Sequence, residues 1–161
     1  MSQAVDDGAP PTEPTMASAR TSLVIRRLQM VIGLQMEGIL RPLDLTPGQY
    51  TLLSMVARRP ALSAAQLARR LQVRPPTMAE LISPLERKKW ISRREDEDNR
   101  RVLRVSITAA GREVLARSDH LMDGLEAKLF DVLAPAERER FHRTALTILR
   151  AAGRDVTRLP A

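Results

Sequence analysis

Two short amphipathic helices are encoded by residues 63–87, which read SAAQLARRLQVRPPTMAELISPLER. Ser63 with Gln66 forms a capping-box pattern, in which each side chain bonds the backbone N–H of the other residue. This pattern predicts a first helix over residues 63–71. Two consecutive prolines then suit the first turn of a second helix, predicted over residues 75–89. Two helices joined by so short a connection are typical of a helix-turn-helix.

The second helix has two faces of different chemistry. Its apolar stripe, at spacings i, i+3, i+4 and i+7, is predicted to enter the core and consists of Met78, Leu81, Ile82 and Leu85. The polar side is predicted to contact DNA through Arg74, Pro76, Thr77, Glu80, Ser83 and Arg87. Arginine reads guanine bidentately and threonine touches a thymine methyl, whereas a glutamate accepts from cytosine or pairs with a neighbouring arginine. Pro84 removes one bond inside this helix and predicts a kink.

The pattern then changes from helical to alternating. Strands are predicted over residues 90–94 and 102–107, with a polar turn between them. A basic hairpin after a helix-turn-helix is a wing, which places arginine in the minor groove or along phosphates. Its predicted DNA contacts are Arg94, Asn99, Arg100 and Arg101, with Asp96 or Asp98 holding one of the two paired arginines. The alternative is a solvated hairpin tip.

The flanking segments are predicted to be helical over residues 19–41, 46–58, 109–133 and 135–152. The first and the last two of these helices carry more Leu, Ile and Met than one small lobe can cover. A partner subunit is therefore expected to bury part of them. The predicted fold class is mainly α: a winged helix-turn-helix with a β-hairpin wing and long helices that form a dimerisation region.

The domain organisation follows from these elements. Residues 1–18 have the composition of a disordered tail. Residues 19–161 are predicted to form a single domain. Within it, the winged helix-turn-helix lobe spans residues 46–108, and the dimerisation helices lie in residues 19–45 and 109–152.

Charge and composition narrow the function classes. The chain has 161 residues and a net charge of +7, and residues 58–101 alone hold 12 Lys and Arg against 6 Asp and Glu. Such a patch points to a polyanion, the alternative being a generally arginine-rich surface. The chain has no Cys and only 2 His, so disulfides and thiol switches are excluded and neither a metal nor another cofactor is expected. The sequence contains no phosphate-binding loop and no Ser/His/Asp arrangement, so an enzyme is not expected. It also contains no signal peptide and no apolar membrane span, so a cytoplasmic protein without a membrane partner is expected.

Four segments together resemble the MarR family of winged helix-turn-helix transcriptional regulators. They are residues 71–77 (LQVRPPT), 81–87 (LISPLER), 96–101 (DEDNRR) and 105–111 (VSITAAG). The resemblance covers about residues 20–152. The chain departs from the usual family pattern in carrying Arg74 before the second helix, Lys89 where a glycine usually ends it, and Asn99 before the paired arginines.

The resemblance implies a homodimer that binds a palindromic operator with half-sites about one helical turn apart. It also implies a pocket, between the dimerisation helices and the lobe, for a small aromatic or phenolic acid. The residues predicted to bind such an effector are Arg20, Arg26, Gln29, Met30 and Tyr50. Arginine pairs with a carboxylate and methionine adapts to planar rings. The alternative is that Arg20 and Arg26 are solvated and Met30 belongs to the dimer core.

The expected function is therefore sequence-specific regulation of transcription, by a repressor released from its operator when the effector binds. The expected partners are double-stranded DNA, a second copy of the chain and a small aromatic acid. The alternative is a winged-helix module that binds DNA without sequence choice, or binds protein, and has no ligand control.

Overall fold

The computed structural model describes residues 20–59, 61–96, 99–100 and 102–156, with side chains as far as residue 152. The predicted tail over residues 1–18 and the predicted contact Arg101 lie outside the described residues. The elements in chain order are α1 (Thr21–Leu40), a 3-10 turn (Arg41–Leu43), α2 (Pro47–Arg58), β1 (Leu62–Ser63), α3 (Ala64–Leu71), α4 (Pro75–Arg87), β2 (Ile91–Glu95), β3 (Leu103–Ile107), α5 (Ala109–Leu129) and α6 (Pro135–Val156). This order confirms the predicted winged helix-turn-helix. Among the described helices, none is long and apolar enough to cross a membrane.

The helices begin where their capping side chains predict. Before α2, the N–H of Gln49 donates to Thr46 Oγ1 at 3.2 Å, and Gln49 Oε1 accepts from the Thr46 N–H at 3.1 Å. Before α3, Ser63 and Gln66 make the same reciprocal pair at 3.3 and 2.8 Å. These bonds satisfy N–H groups that lack partners within the helix, and they fix where each helix starts.

Two helix ends of the helix-turn-helix are closed by non-glycine residues in the left-handed conformation, Gln72 with φ 54° and Lys89 with φ 59°. After α4, the Trp90 N–H donates to the Leu85 carbonyl and the Lys89 N–H to the Glu86 carbonyl, both at 2.9 Å. This pair of bonds is a Schellman motif, which usually places glycine at the left-handed position. It ends α4 at Arg87, two residues earlier than predicted.

Helix α4 is assigned as one continuous helix across Pro84. Ser83 lies beside the proline, and its hydroxyl donates to the Ala79 carbonyl at 2.8 Å. The kink predicted at Pro84 stays a prediction. The largest differences from the predicted bounds are at the end of the chain, where α5 ends at Leu129 instead of residue 133 and α6 continues to Val156 instead of residue 152. No other bound differs by more than two residues.

The wing is part of a three-stranded antiparallel sheet in the order β1-β3-β2. The sequence predicted only the two strands of the hairpin. Strand β1 pairs with β3, with Leu62 opposite Val105. It was missed because a two-residue strand has no alternation to detect.

The core lies within the winged lobe and the ends of the helices that pack on it. Its fully buried members include Leu40, Leu52, Leu53, Val56, Leu67, Met78, Ile82, Leu85, Ile91 and Val105. Helices α1, α5 and α6 instead leave large apolar side chains exposed, among them Leu23, Ile25, Met30, Leu34, Leu121, Phe141, Ile148 and Leu149. The subunit alone therefore covers the lobe's core but not the apolar faces of the long helices.

Candidate nucleic-acid interface

Helix α4 is held with one face in the core and the other in solvent. Met78, Ile82 and Leu85 of the predicted apolar stripe are at most 1% exposed, and Leu81 is partly buried against the same core. The predicted DNA contacts of this helix are all exposed: Arg74, Pro76, Thr77, Glu80, Ser83 and Arg87. The fold thus brings these six side chains together on one accessible side of the lobe, at a helix narrow enough for the major groove.

The N-terminal end of α4 has an unusual set of donors. Pro75 and Pro76 occupy its first two positions and have no N–H, so the usual row of unpaired backbone donors is shortened. Arg74 precedes them and makes no capping bond with its side chain. An anion at this end would therefore meet the Arg74 guanidinium and the Thr77 hydroxyl more than backbone amides.

Two polar side chains of α4 differ in their hydrogen bonding. The Ser83 hydroxyl already donates to Ala79, so toward a base edge it acts as an acceptor. Among the described residues, Glu80 makes no ion pair with Arg74 or Arg87. Glu80 was expected either to accept a hydrogen bond from cytosine or to pair with a neighbouring arginine, and this structure does not show the second of these contacts.

Helix α4 is tied to its surroundings by two ion pairs that the sequence analysis missed. Glu86 Oε2 lies 3.0 Å from the Arg93 guanidinium on β2. Lys88 Nζ lies 2.7 Å from Asp44 Oδ2 and 4.6 Å from the centre of the Trp90 ring. These contacts fix the C-terminal end of α4 against the sheet and against the corner that follows α1.

The base of the wing is held by Arg104. Its guanidinium forms an ion pair with Asp96 and also donates from Nη1 to the Ala61 carbonyl at 3.1 Å. Asp96 Oδ1 accepts from the Asn99 N–H at 3.1 Å, which closes the turn. Asp96 or Asp98 was expected to hold one of the paired arginines Arg100 and Arg101. The structure adds the ion pair of Asp96 with Arg104 of β3, which was not predicted, and the expected pairing stays a prediction because Asp98 and Arg101 lie outside the described residues.

The exposed cations of the wing lie on the same lobe as α4. Asn99 and Arg100 are exposed at the turn, and Arg94 is exposed on β2 opposite Arg104 of β3. This placement suits contact with phosphates on either side of a groove. The role of each residue stays a prediction.

A basic groove of about 590 Å³ runs along α2, on a different part of the lobe, and is lined by Tyr50, Thr51, Ser54, Met55, Arg58, Arg59 and Arg70. Of the predicted effector contacts, Tyr50 alone lines this groove. The other four are exposed: Arg20 immediately precedes α1, and Arg26, Gln29 and Met30 lie on it. Their predicted role as effector contacts stays a prediction.

Tyr50 joins the lobe to the long helix α5, because its hydroxyl donates to Asp119 Oδ1 at 2.8 Å. Partial burial and this bond to Asp119 raise the pKa of Tyr50 to about 12, although Ser54 and the positive charge of Arg58 oppose the rise. Tyr50 therefore keeps its proton at neutral pH and acts as a hydrogen-bond donor.

Comparison with known proteins shows which proteins the chain is similar to. The sequence profile of the MarR family matches residues 45–103. The HTH-type transcriptional repressor Rv2887 of Mycobacterium tuberculosis is 28% identical over 120 residues, which are 74% of this chain and 86% of the relative. The structure of the transcriptional repressor CouR bound to a 23-mer DNA duplex superposes with a TM-score of 0.78 at 23% identity, covering 84% of this chain and 96% of CouR. The complex of M. tuberculosis Rv2887 with salicylic acid superposes with a TM-score of 0.68 at 26% identity, covering 81% and 97% of the two chains.

Proposed function

We propose that this chain is a member of the MarR family of winged helix-turn-helix transcriptional regulators, whose profile matches residues 45–103, and that it is a homodimeric repressor released from a palindromic operator by a small aromatic acid. The proposed membership makes it a DNA-binding regulator of transcription instead of an enzyme. The observation that carries the proposal is the exposed polar face of α4, which lies with the basic wing on one lobe.

A second copy of the chain is the proposed partner for the long helices. Ile25, Leu34 and Leu149 are 50%, 69% and 67% exposed, and they belong to the two terminal helices, α1 and α6. Exposed apolar area on this scale is typical of a subunit interface. A two-fold axis through such an interface would present two copies of α4 to the DNA, which is why the operator is proposed to be palindromic.

The division of labour within the DNA interface is proposed from residue chemistry. Arg74 and Thr77 at the start of α4 are assigned to base edges in the major groove. Arg94 and Arg100 of the wing are assigned to phosphates, which fix position and orientation without reading sequence. Glu80 is assigned to cytosine N4, since its carboxylate is exposed and would be repelled by phosphate.

The effector is proposed to be a small aromatic acid. The support is the groove beside Tyr50, which offers arginines to a carboxylate and Met55 to a ring. The related Rv2887 of M. tuberculosis has a structure in complex with salicylic acid. A regulator of this kind is expected to lose affinity for its operator when the acid binds.

The testing experiment is fluorescence anisotropy with two labelled duplexes, one from upstream of the gene for this protein and one of scrambled sequence, over a series of salt concentrations. The proposal expects the native duplex to bind about a hundredfold more tightly at moderate salt, a difference of about 3 kcal/mol. Equal binding to both duplexes, lost as salt rises, would favour a module that binds DNA without sequence choice. Addition of salicylate to the native complex then tests release.

A further inference from the structure

A single hydrogen bond connects the middle of the DNA-binding lobe to the long helix α5. The Tyr50 hydroxyl on α2 donates to Asp119 Oδ1 on α5 at 2.8 Å, across 69 positions of sequence. In the described part of the chain, no other side-chain hydrogen bond or ion pair joins α2 to α5. The polar connection between these two helices therefore depends on one donor and one acceptor.

Movement of α2 would be transmitted to α4 because the two helices are in close contact. A β-carbon at Gly48, in the first turn of α2, would lie 2.9 Å from Leu81 Cδ2 of α4. Leu52 and Leu53 of α2 are fully buried in the same core as Ile82 and Leu85 of α4. Packed elements of this kind move together, since a well-filled core does not deform freely.

The Tyr50 hydroxyl lies between an acidic and a basic neighbour. Ser54 and Arg58 follow Tyr50 at intervals of four residues, so the three side chains share one face of α2. The charge of Arg58 acts on the Tyr50 hydroxyl against that of Asp119. Arg58, Arg59 and Arg70 line the groove, and none of them forms an ion pair with a described Asp or Glu.

We propose that the Tyr50–Asp119 bond is the regulatory contact of the groove: the carboxylate of an aromatic acid pairs with Arg58, takes the Tyr50 hydrogen bond from Asp119, and thereby frees α2 from α5. This inference rests on the proposed function. The hydrogen bond from Tyr50 to Asp119 is replaced by one from Tyr50 to the ligand carboxylate. The additional stabilisation comes from the charge-assisted bond between the ligand and Arg58. Asp119 returns to solvent, which is favourable for an exposed carboxylate.

The inference gives Asp119 two effects that can be separated experimentally. Asp119 stabilises the position of the lobe in the free protein, and its negative charge opposes an anionic ligand beside Tyr50. Removing the charge while keeping the shape should therefore favour the ligand. Removing the Tyr50 hydroxyl should weaken both the lobe contact and the ligand.

The test uses the full chain and salicylate as the probe. Isothermal titration calorimetry would compare the wild type with Asp119→Asn, Tyr50→Phe and Arg58→Gln. The control is Asp123→Asn, which makes the same charge change one turn further along α5, at an exposed residue. Asp119→Asn is expected to bind salicylate at least threefold more tightly and Asp123→Asn to stay within twofold of the wild type. Tyr50→Phe and Arg58→Gln are expected to bind at least fivefold more weakly.

Operator anisotropy on the same variants separates the possible failures. If the wild type prefers the native duplex and is released by salicylate, but Asp119→Asn matches it in both measurements, the inference is wrong and the proposed function stands. If the wild type prefers the native duplex but binds no salicylate at millimolar concentration, both the proposed class of effector, an aromatic acid, and the inference are wrong. If neither duplex is preferred, the proposed function itself is overturned. Arg58→Gln provides an independent result should Asp119→Asn fail to fold.

Discussion

A β-carbon on Gly111 would lie 2.0 Å from the carbonyl oxygen of Trp90, a distance that no side chain tolerates. The carbonyl is fixed in place, because it accepts from the Thr108 N–H at 3.0 Å and from the Thr108 hydroxyl at 3.1 Å. Thr108 is also the N-cap of α5 and accepts from the Gly111 N–H at 3.0 Å. The start of α5 is therefore joined directly to the start of the wing, and glycine is needed where the two backbones meet.

Replacing Gly111 with Ala should destabilise the protein by about 1–3 kcal/mol, the usual cost of forcing extra volume into a filled site. Urea unfolding at a fixed protein concentration measures it. The matched control is Gly124→Ala in the same helix, where a β-carbon meets nothing within 4 Å. Alanine has the better helix propensity, so the control should be neutral or slightly stabilising. Equal effects of the two changes would contradict the Trp90 contact.

Replacing Lys89 with Gly should stabilise the lobe by roughly 0.5–1 kcal/mol. Holding a residue with a side chain in the left-handed region costs about 1–2 kcal/mol, and glycine avoids this cost. Glycine also has the greater conformational entropy in the unfolded chain, which offsets part of the stabilisation. Gln72→Gly tests the same argument at the end of α3. Ala116→Gly, in the regular helix α5, is the opposing control and should cost about 1 kcal/mol. Destabilisation by both end substitutions would disprove the helix-end geometry.

Replacing Arg74 with Ala should reduce the preference for the native duplex over the scrambled one. A bidentate contact to a base is worth about 1–3 kcal/mol of discrimination, whereas it adds little to binding without sequence choice. Anisotropy with both duplexes at one salt concentration measures the ratio. Equal losses on the two duplexes would show that Arg74 contacts phosphate instead.

Replacing Arg100 with Ala should weaken binding to both duplexes alike and flatten the salt dependence. The logarithm of the binding constant falls with the logarithm of the salt concentration, and losing one cationic side chain that contacts a phosphate makes this slope less steep by about 0.9. The control is Arg143→Ala on α6, which removes the same charge outside the lobe from a residue 3.5 Å from Glu139. An unchanged slope for Arg100→Ala would remove this residue from the interface.

Replacing Tyr50 with Phe should abolish one component of the loss of stability at high pH. The pKa of Tyr50 is raised to about 12 in the folded protein, against an ordinary value of 10. Between pH 10 and 12 the unfolded chain therefore releases a proton that the folded chain retains, so stability falls as pH rises. The free energy of unfolding, measured across this pH range, should fall more steeply with pH for the wild type than for Tyr50→Phe. Parallel curves would mean that Tyr50 titrates normally.

The features predicted correctly from the sequence are those encoded within a few residues. Ser63 and Gln66 form their capping box three positions apart, so the start of α3 could be predicted. The end of α4 could not, because Lys89 adopts a conformation for which glycine is the usual signal. Lys89 departs from the family pattern in the sequence itself, but its backbone conformation is visible only in the structure.

Contacts between residues far apart in the chain could not be predicted from the sequence. Tyr50 was selected as a candidate, but its partner Asp119 lies 69 residues away and only the packing of α2 on α5 brings them together. The ion pair between Arg104 and Asp96 was missed for a related reason, since each residue had nearer partners of opposite charge. Residue type identified Tyr50 and Asp96 as candidates for polar contacts, whereas tertiary structure determined which partner each one meets.

Helix α6 makes few contacts with its own subunit beyond the elbow, where Phe130 and Phe141 pack with ring centres 5.9 Å apart and Arg138 pairs with Glu126 at 3.1 Å. Ile148 and Leu149 of this helix are more than half exposed, so in the proposed dimer the second chain would supply most of its burial. Folding and assembly of the proposed dimer are then one equilibrium, and its melting temperature should rise with protein concentration. In a cell, the amount of functional dimer would follow the square of the chain concentration at low expression, so a gene that represses itself through this protein would respond to its own product with a threshold.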